Sequence, residues 1–278
     1  MSSSIEDDEG DLTRKQRREQ ARAQRKALEE SHAAAAKRKS RLTLLGIIGA
    51  IVVVIVVVIV VAAGGGSKSG LPTSKHEENA TVAEVSKLVD GIPQSGNAIG
   101  SPTAPVTLKY FGDLECPICK EFTLGALPSV IDKWVRTGKL RIEYHSLETA
   151  TREPEIFKEQ QVAAYAAGKQ NKAWNYIETF YHEQGEEDSG YVTENYLDGI
   201  ASQVPGLDIA KWHEDRGDPN LANEVETDKQ AANNEGFTGT PSFLIGHTGG
   251  TMSKLSYPGS PSEPAFVDEA VEKLLKSS

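Results

Sequence analysis

Val106-Thr107-Leu108-Lys109-Tyr110-Phe111-Gly112-Asp113-Leu114-Glu115-Cys116-Pro117-Ile118-Cys119 is the stretch that decides how the chain is read. Residues 106–111 read as a central strand in which Lys109 is the one charged residue, and a lysine stem can lie along apolar surface while its ammonium reaches water. A strand that feeds straight into Cys-Pro places Cys116 at a helix N-terminus, where unpaired N–H groups and the macrodipole favour negative charge. Pro117 then falls at the first helical position, where its missing N–H costs nothing. Two cysteines with two residues between them can close a disulfide within one turn, and thiolate stability governs what such a pair does.

No other cysteine occurs in the 278 residues. A bridge between these two closes only a tiny loop and adds little by restricting the unfolded chain, so a structural role is the weaker reading. Half of a zinc site is another reading, but it needs two further ligands. His145, His182, His213 and His247 offer no pair with a ligand-like spacing.

Charge is divided unevenly along the chain. Up to Arg41 there are 11 Lys and Arg against 8 Asp and Glu, and after Ala63 there are 19 against 32. An acidic folded portion argues against nucleic acid as its partner, because phosphate binding needs a basic face. Residues 1–41 form a basic, polar tail with no apolar stripe to bury, better suited to lying beside anionic lipid than to serving as a nucleic-acid arm. Residues 42–63 carry no charge and are almost unbroken Leu, Ile, Val, Gly and Ala, long enough to cross a bilayer as one helix. Lys37, Arg38, Lys39 and Arg41 crowd the N-terminal flank, so the positive-inside rule puts the tail in the cytoplasm and the rest of the chain outside. A cleaved signal peptide is the competing reading, since Val61-Ala62-Ala63 offers small residues to a peptidase. Residues 64–95, opening with Gly64-Gly65-Gly66, read as a flexible tether and lead-in with a short amphipathic piece at 82–88.

The folded domain is expected over 96–278. A helix from Cys116 to about Arg136 should kink or break at Pro128, and the alternating residues 140–145 should form a strand. Strand, helix and strand in that order make a βαβ unit with the dithiol at the C-terminal end of its first strand, where open α/β sheets usually place their chemistry. About 153–236 reads as a helical insertion: apolar spacing around 162–166 and 174–181, Thr193 as an N-cap, and a last helix over 221–234. Strands follow at 241–245 and 254–257, then a closing helix over 263–276.

With Gly239-Thr240-Pro241-Ser242-Phe243 added, the pattern resembles the DsbA-like branch of the thioredoxin superfamily. The likeness runs through Ala104-Pro105-Val106-Thr107, Phe111-Gly112-Asp113, the dithiol, a helical insertion and a final Gly-Thr-Pro before a strand, and covers about 89–278. It implies an α/β thioredoxin fold with an inserted helical subdomain, here preceded by a single transmembrane helix. It implies that Thr240-Pro241 is cis and lies against the dithiol, that Cys116 exchanges with substrate, and that Cys119 is the resolving thiol. Pro117, Ile118, Thr240 and Pro241 then contact substrate and tune the redox couple. No cofactor is implied beyond the Cys116–Cys119 disulfide.

Two departures bear on redox strength. Ile118 offers no donor where the best-known members have histidine, which points to a milder oxidant. Tyr110 stands where many relatives carry a buried acid, and Glu115 is expected to raise the neighbouring thiol pKa by like-charge repulsion. The reading is a membrane-tethered oxidase that donates its disulfide to newly exported proteins and is itself reoxidised, by family analogy, through a quinone-linked membrane oxidase. A reductase or isomerase on the same fold, and a redox-inactive client-binding module, are the alternatives. Isomerases usually carry a dimerisation domain, for which the stretch from Ser67 to Gly100 is short.

Overall fold

The computed structural model describes residues 75–277, with side chains from Glu78. The tail over 1–41 and the span over 42–63 lie outside the described residues, as does most of the tether. Among the described residues, no helix is long and apolar enough to cross a membrane.

Six strands form one sheet in the order β1-β2-β4-β3-β5-β6. Its centre is β3 (Val106–Gly112), parallel to β4 (Leu140–Ser146) and antiparallel to β5 (Ser242–His247). β6 (Met252–Leu255) is one edge, and the two-residue strands β1 (Gln94–Ser95) and β2 (Ala98–Ile99) form the other. The βαβ unit expected from sequence is present, with Val106 paired to Leu140 and Gly112 to Ser146. β4 alternates buried and half-buried side chains as a strand with one covered face should.

Both faces of β3 are buried, and Lys109 is its one half-buried residue. On one face Tyr110 packs against Phe122, Tyr144 and Phe243, with ring centroids 4.9, 5.4 and 5.5 Å away. Phe122 lies in the helix after the dithiol, α2 (117–135), and Phe266 of the closing helix α8 (Ala265–Lys276) completes this aromatic core. On the other face Phe111, Leu147 and Leu244 pack with Ala232 of helix α7 (Pro219–Asn234) and with Phe237. The alternation of β3 therefore seats the sheet between two apolar layers.

Pro128 does not break α2. The helix passes into π turns at Phe122–Ala126 and Ile131–Val135, and Pro128 occupies the short α segment between them. Leu127 N–H bonds back to Phe122 O and Arg136 N–H to Ile131 O, five residues each. The wider turns absorb a residue that cannot donate, and the backbone continues.

Ahead of the sheet, α1 (Lys75–Val89) is a full helix, longer than the amphipathic piece expected over 82–88, and it buries Val85 and Val89. The insertion holds five helices: α3 (Pro154–Gly168), α4 (Ala173–Glu183), α5 (Glu194–Ser202), α6 (Ile209–Arg216) and α7. Thr193 caps α5 as expected, its hydroxyl accepting from Tyr196 N–H at 3.2 Å. After Ile209 and Ala210, α6 is polar except for Trp212, which anchors it: the ring is fully buried and donates from Nε1 to Ala163 O at 2.8 Å.

Candidate active site

The site is built where β3 ends. A Cβ on Gly112 would stand 2.9 Å from the Tyr144 ring, so the strand can leave the sheet this close to two tyrosines only as glycine. The next residue, Asp113, is fully buried and accepts five hydrogen bonds. Its carboxylate takes the N–H groups of Glu115, Thr149, Ala150 and Thr151 at 2.8–3.1 Å and the Thr151 hydroxyl at 2.7 Å. One side chain thus ties the turn that carries the dithiol to the loop after β4.

The insertion holds the same turn from the other side. Tyr181 of α4 donates to Asp113 O at 3.1 Å. Gln184 donates from Nε2 to Leu114 O at 2.7 Å and to Cys116 O at 3.2 Å. The backbone oxygens of Asp113, Leu114 and Cys116 are therefore paired although the turn is buried.

Cys116 is the N-cap of α2 in an extended conformation, and Pro117 is the first helical residue. Both thiols are free, Cys116 being 6 % exposed and Cys119 fully buried. Ile118 projects outward at 38 % exposure. Thr240-Pro241 is a cis peptide, and the Cys116 thiol donates to Thr240 O at 3.5 Å. Cys116, Pro117, Ile118 and Cys119 open the helix, and the Cys116 thiol brings the first of them against the Thr240-Pro241 segment; Cys119 and Pro241 are buried and Ile118 is exposed.

The two sulfurs are driven apart in acidity. The Cys116 thiol is lowered to about 6, first by the hydrogen bond from the Cys119 thiol; burial opposes this, and the Thr240 side chain and the N–H groups of Cys119 and Ile118 reinforce it. Cys119 is pushed well above its ordinary range, first by burial and then by Cys116. One sulfur is a thiolate at neutral pH while the other keeps its proton.

Glu115 does not act as expected. Its carboxyl is turned into the domain, where burial raises its own pKa, the Thr151 hydroxyl opposes and Asp113 and Asp188 add to it. Glu115 is not among the principal causes of the Cys116 shift, and the acidity of Cys116 is set by Cys119, burial, Thr240 and the N–H groups of Cys119 and Ile118. Beneath Cys119, in place of a buried acid, the Tyr110 hydroxyl meets those of Tyr181 at 3.1 Å and Thr123 at 3.4 Å. Burial raises the Tyr110 pKa further, so this layer stays neutral.

The sequence reading did not single out Thr149. Its hydroxyl lies 2.5 Å from that of Thr240, on the loop that Asp113 clamps. Its only signal in the sequence is its place three residues beyond the end of β4, the strand paired in parallel with the one that leads to the dithiol.

A sheet of this topology with a polarised Cys-x-x-Cys pair at a helix N-terminus, facing a cis-proline, defines a thiol-disulfide oxidoreductase. The family model described as thioredoxin matches residues 94–254, and the chain belongs to that family. Among curated proteins it is similar to the probable disulfide bond formation protein D of Bacillus anthracis, 24 % identical over 155 residues, covering 53 % of this chain and 68 % of the relative. The protein of the same description from Bacillus cereus is 22 % identical over 149 residues, with the same coverage. Among solved structures the fold is shared with oxidised BdbD from Bacillus subtilis, with a TM-score of 0.55 at 20 % identity over 68 % of this chain and 98 % of that one.

Proposed function

We propose that this oxidoreductase works as an extracytoplasmic oxidase, held to the membrane by residues 42–63, that donates the Cys116–Cys119 disulfide to exported proteins as they fold. The observation that carries the reading is the split between the two sulfurs, a Cys116 thiol lowered to about 6 beside a buried Cys119 that keeps its proton. The names of the Bacillus relatives, which describe disulfide bond formation, support the same direction.

In the forward reaction a substrate thiolate attacks Cys116 Sγ, the Cys116–Cys119 bond breaks, and Cys119 leaves and takes up a proton. A second substrate thiolate then attacks the substrate sulfur of the mixed disulfide, and Cys116 leaves as a thiolate. The substrate loses two electrons and the dithiol gains them. Stabilising Cys116 as a thiolate makes it a good leaving group and favours the reduced protein, which is what a disulfide donor requires. The sulfur pair itself is the redox centre, so the reaction needs no other cofactor. Turnover requires an external oxidant to restore the disulfide, and a quinone-linked membrane oxidase is the class proposed.

The test is to add the oxidised chain to a reduced, unfolded protein whose activity depends on its disulfides. Recovery of activity with one equivalent of the chain reduced per bond formed supports donation, and Cys116→Ala should abolish it. Binding of the unfolded client without oxidation would support the redox-inactive alternative. Oxidation of dithiothreitol-like small thiols with preferential cleavage of protein disulfides would favour the reductase.

A further inference from the structure

We propose that the cavity between α1, α2 and α4 binds a short aliphatic amine in its ammonium form, the charged nitrogen resting on the buried Glu178 carboxylate and the chain lying along Leu88 and Leu124. None of the six residues of the dithiol site lines this cavity, and the inference does not depend on the direction of the redox reaction.

Glu178 of α4 is fully buried, and neither of its carboxyl oxygens has a hydrogen-bond partner among the described residues. Asp113 is buried to the same degree, yet it accepts five hydrogen bonds. A buried polar group without a partner is costly, and a leucine there would fill similar space with nothing left to satisfy. Glu178 is not enclosed in packed core. It borders a cavity of about 220 Å³, many times the roughly 10–15 Å³ that holds one water. An unpartnered buried acid beside open space is a place where a donor can be received.

The walls select the class of donor. Of the charged residues lining the cavity, Glu178, Glu84 and Asp132 are acids and Lys87 is the one cation among the described residues. Asp132 takes Arg136 Nε at 3.3 Å, whereas Glu84 is exposed and has no ion pair among the described residues. His182 lies one turn after Glu178 on the same helix face. Burial lowers its pKa and Lys120 adds to this, against Glu84 and Glu183, so a neutral ring nitrogen is available as a second acceptor. An ammonium has three donors to divide between these groups, while an alcohol has one and an anion would meet like charge. Half-buried Leu88 and Leu124 give the methylenes an apolar wall. Exposed Glu84 favours a second positive charge at the outer end, so a diamine fits better than a monoamine. In the empty cavity burial, and then the Glu84 charge, raise the Glu178 pKa well above the ordinary carboxylate range, and an ammonium beside it opposes both.

The test is calorimetric titration of the full chain with putrescine, butylamine and butanol at neutral pH. One putrescine should bind per chain. Butylamine should bind about twofold to fivefold more weakly, the scale of one exposed ion pair, and Glu84→Gln should weaken putrescine by a similar factor. Butanol should bind at least about tenfold more weakly than butylamine, because it carries no charge for Glu178. Glu178→Gln keeps the shape of the side chain and should weaken putrescine roughly tenfold to a hundredfold, the range for a hydrogen bond to a charged group.

Absence of saturable putrescine binding overturns the proposal. So does binding that Glu178→Gln leaves unchanged, which would be attraction to the acidic surface as a whole. Should Glu178→Gln not fold, the wild-type amide resonances decide. Saturable shifts centred on Leu88, Leu124 and His182 support the site, and shifts elsewhere or none at all overturn it.

Discussion

Cys116 and Thr240, 124 residues apart in the chain, meet with Sγ 3.5 Å from the threonine carbonyl oxygen. The contact closes a site assembled from the end of β3, the loop after β4 and the turn before β5. The first two segments are tied together by the Asp113 carboxylate, and the Thr149 and Thr240 hydroxyls join the second to the third, by hydrogen bonds that do not involve sulfur.

Alkylation of the reduced protein by iodoacetamide should show a single reactive thiol with a midpoint near the lowered value of about 6. The sign of the linked stability follows from the folded pKa lying below the unfolded value of about 8.5. The thiolate's contribution to the reduced fold is complete above about 8.5, declines as pH falls, and is gone below about 6. Thermal unfolding of reduced and oxidised protein across this window should show the reduced form losing ground as pH is lowered. Parallel curves would show that Cys116 has an ordinary acidity.

Cys119→Ser should accumulate mixed disulfides between Cys116 and client proteins, visible as reducible bands on non-reducing electrophoresis. The buried, protonated Cys119 is the group that would otherwise resolve them. Absence of such species under oxidising conditions would reverse the assigned division of labour.

Removing the Asp113 carboxylate by Asp113→Ala leaves four backbone N–H groups and one hydroxyl without their acceptor. The expected cost is about 3–5 kcal/mol, measured by urea unfolding. A variant that unfolds at the wild-type urea concentration would show that water replaces the clamp without loss.

Thr193→Ala removes the N-cap of α5 and should cost about 1 kcal/mol. Thr193 bonds to the N–H of Tyr196 and to neither sulfur, so the titration of Cys116 should not change. A shift in that titration would mean that the insertion is coupled to the dithiol more directly than its hydrogen bonds indicate.

What was legible in the sequence was local. The apolar run before Cys116, the alternation over 140–145 and the Thr193 cap each carry their own signal within a few residues, and the structure places a strand, a strand and a capped helix there. The cis bond at Pro241 came from the resemblance and not from the residues themselves. β1 and β2 are two residues each, too short for any period to register. α6 has a polar sequence, and its one buried aromatic, Trp212, shows no helical repeat. Of the kink or break expected at Pro128, the break does not occur, because π turns on either side take up the missing donor.

The site was legible in its sulfurs and not in its supports. Glu115 sits next to Cys116 in sequence, but its carboxyl is buried with the Thr151 hydroxyl beside it, and the net shift of Cys116 is downward, set by groups other than its neighbour. Asp113 and Thr149 meet their partners across 36 and 91 residues, separations that no local pattern encodes.

The central claim is that the lowered acidity of Cys116 makes the disulfide a good donor. It is tested most directly by the reduction potential of the Cys116–Cys119 couple, measured by equilibrating the protein in glutathione buffers. A disulfide donor should lie toward the oxidising end of the superfamily, near about −120 mV as in DsbA. A value near about −270 mV, as in thioredoxin, would contradict the account and assign the pair to reduction.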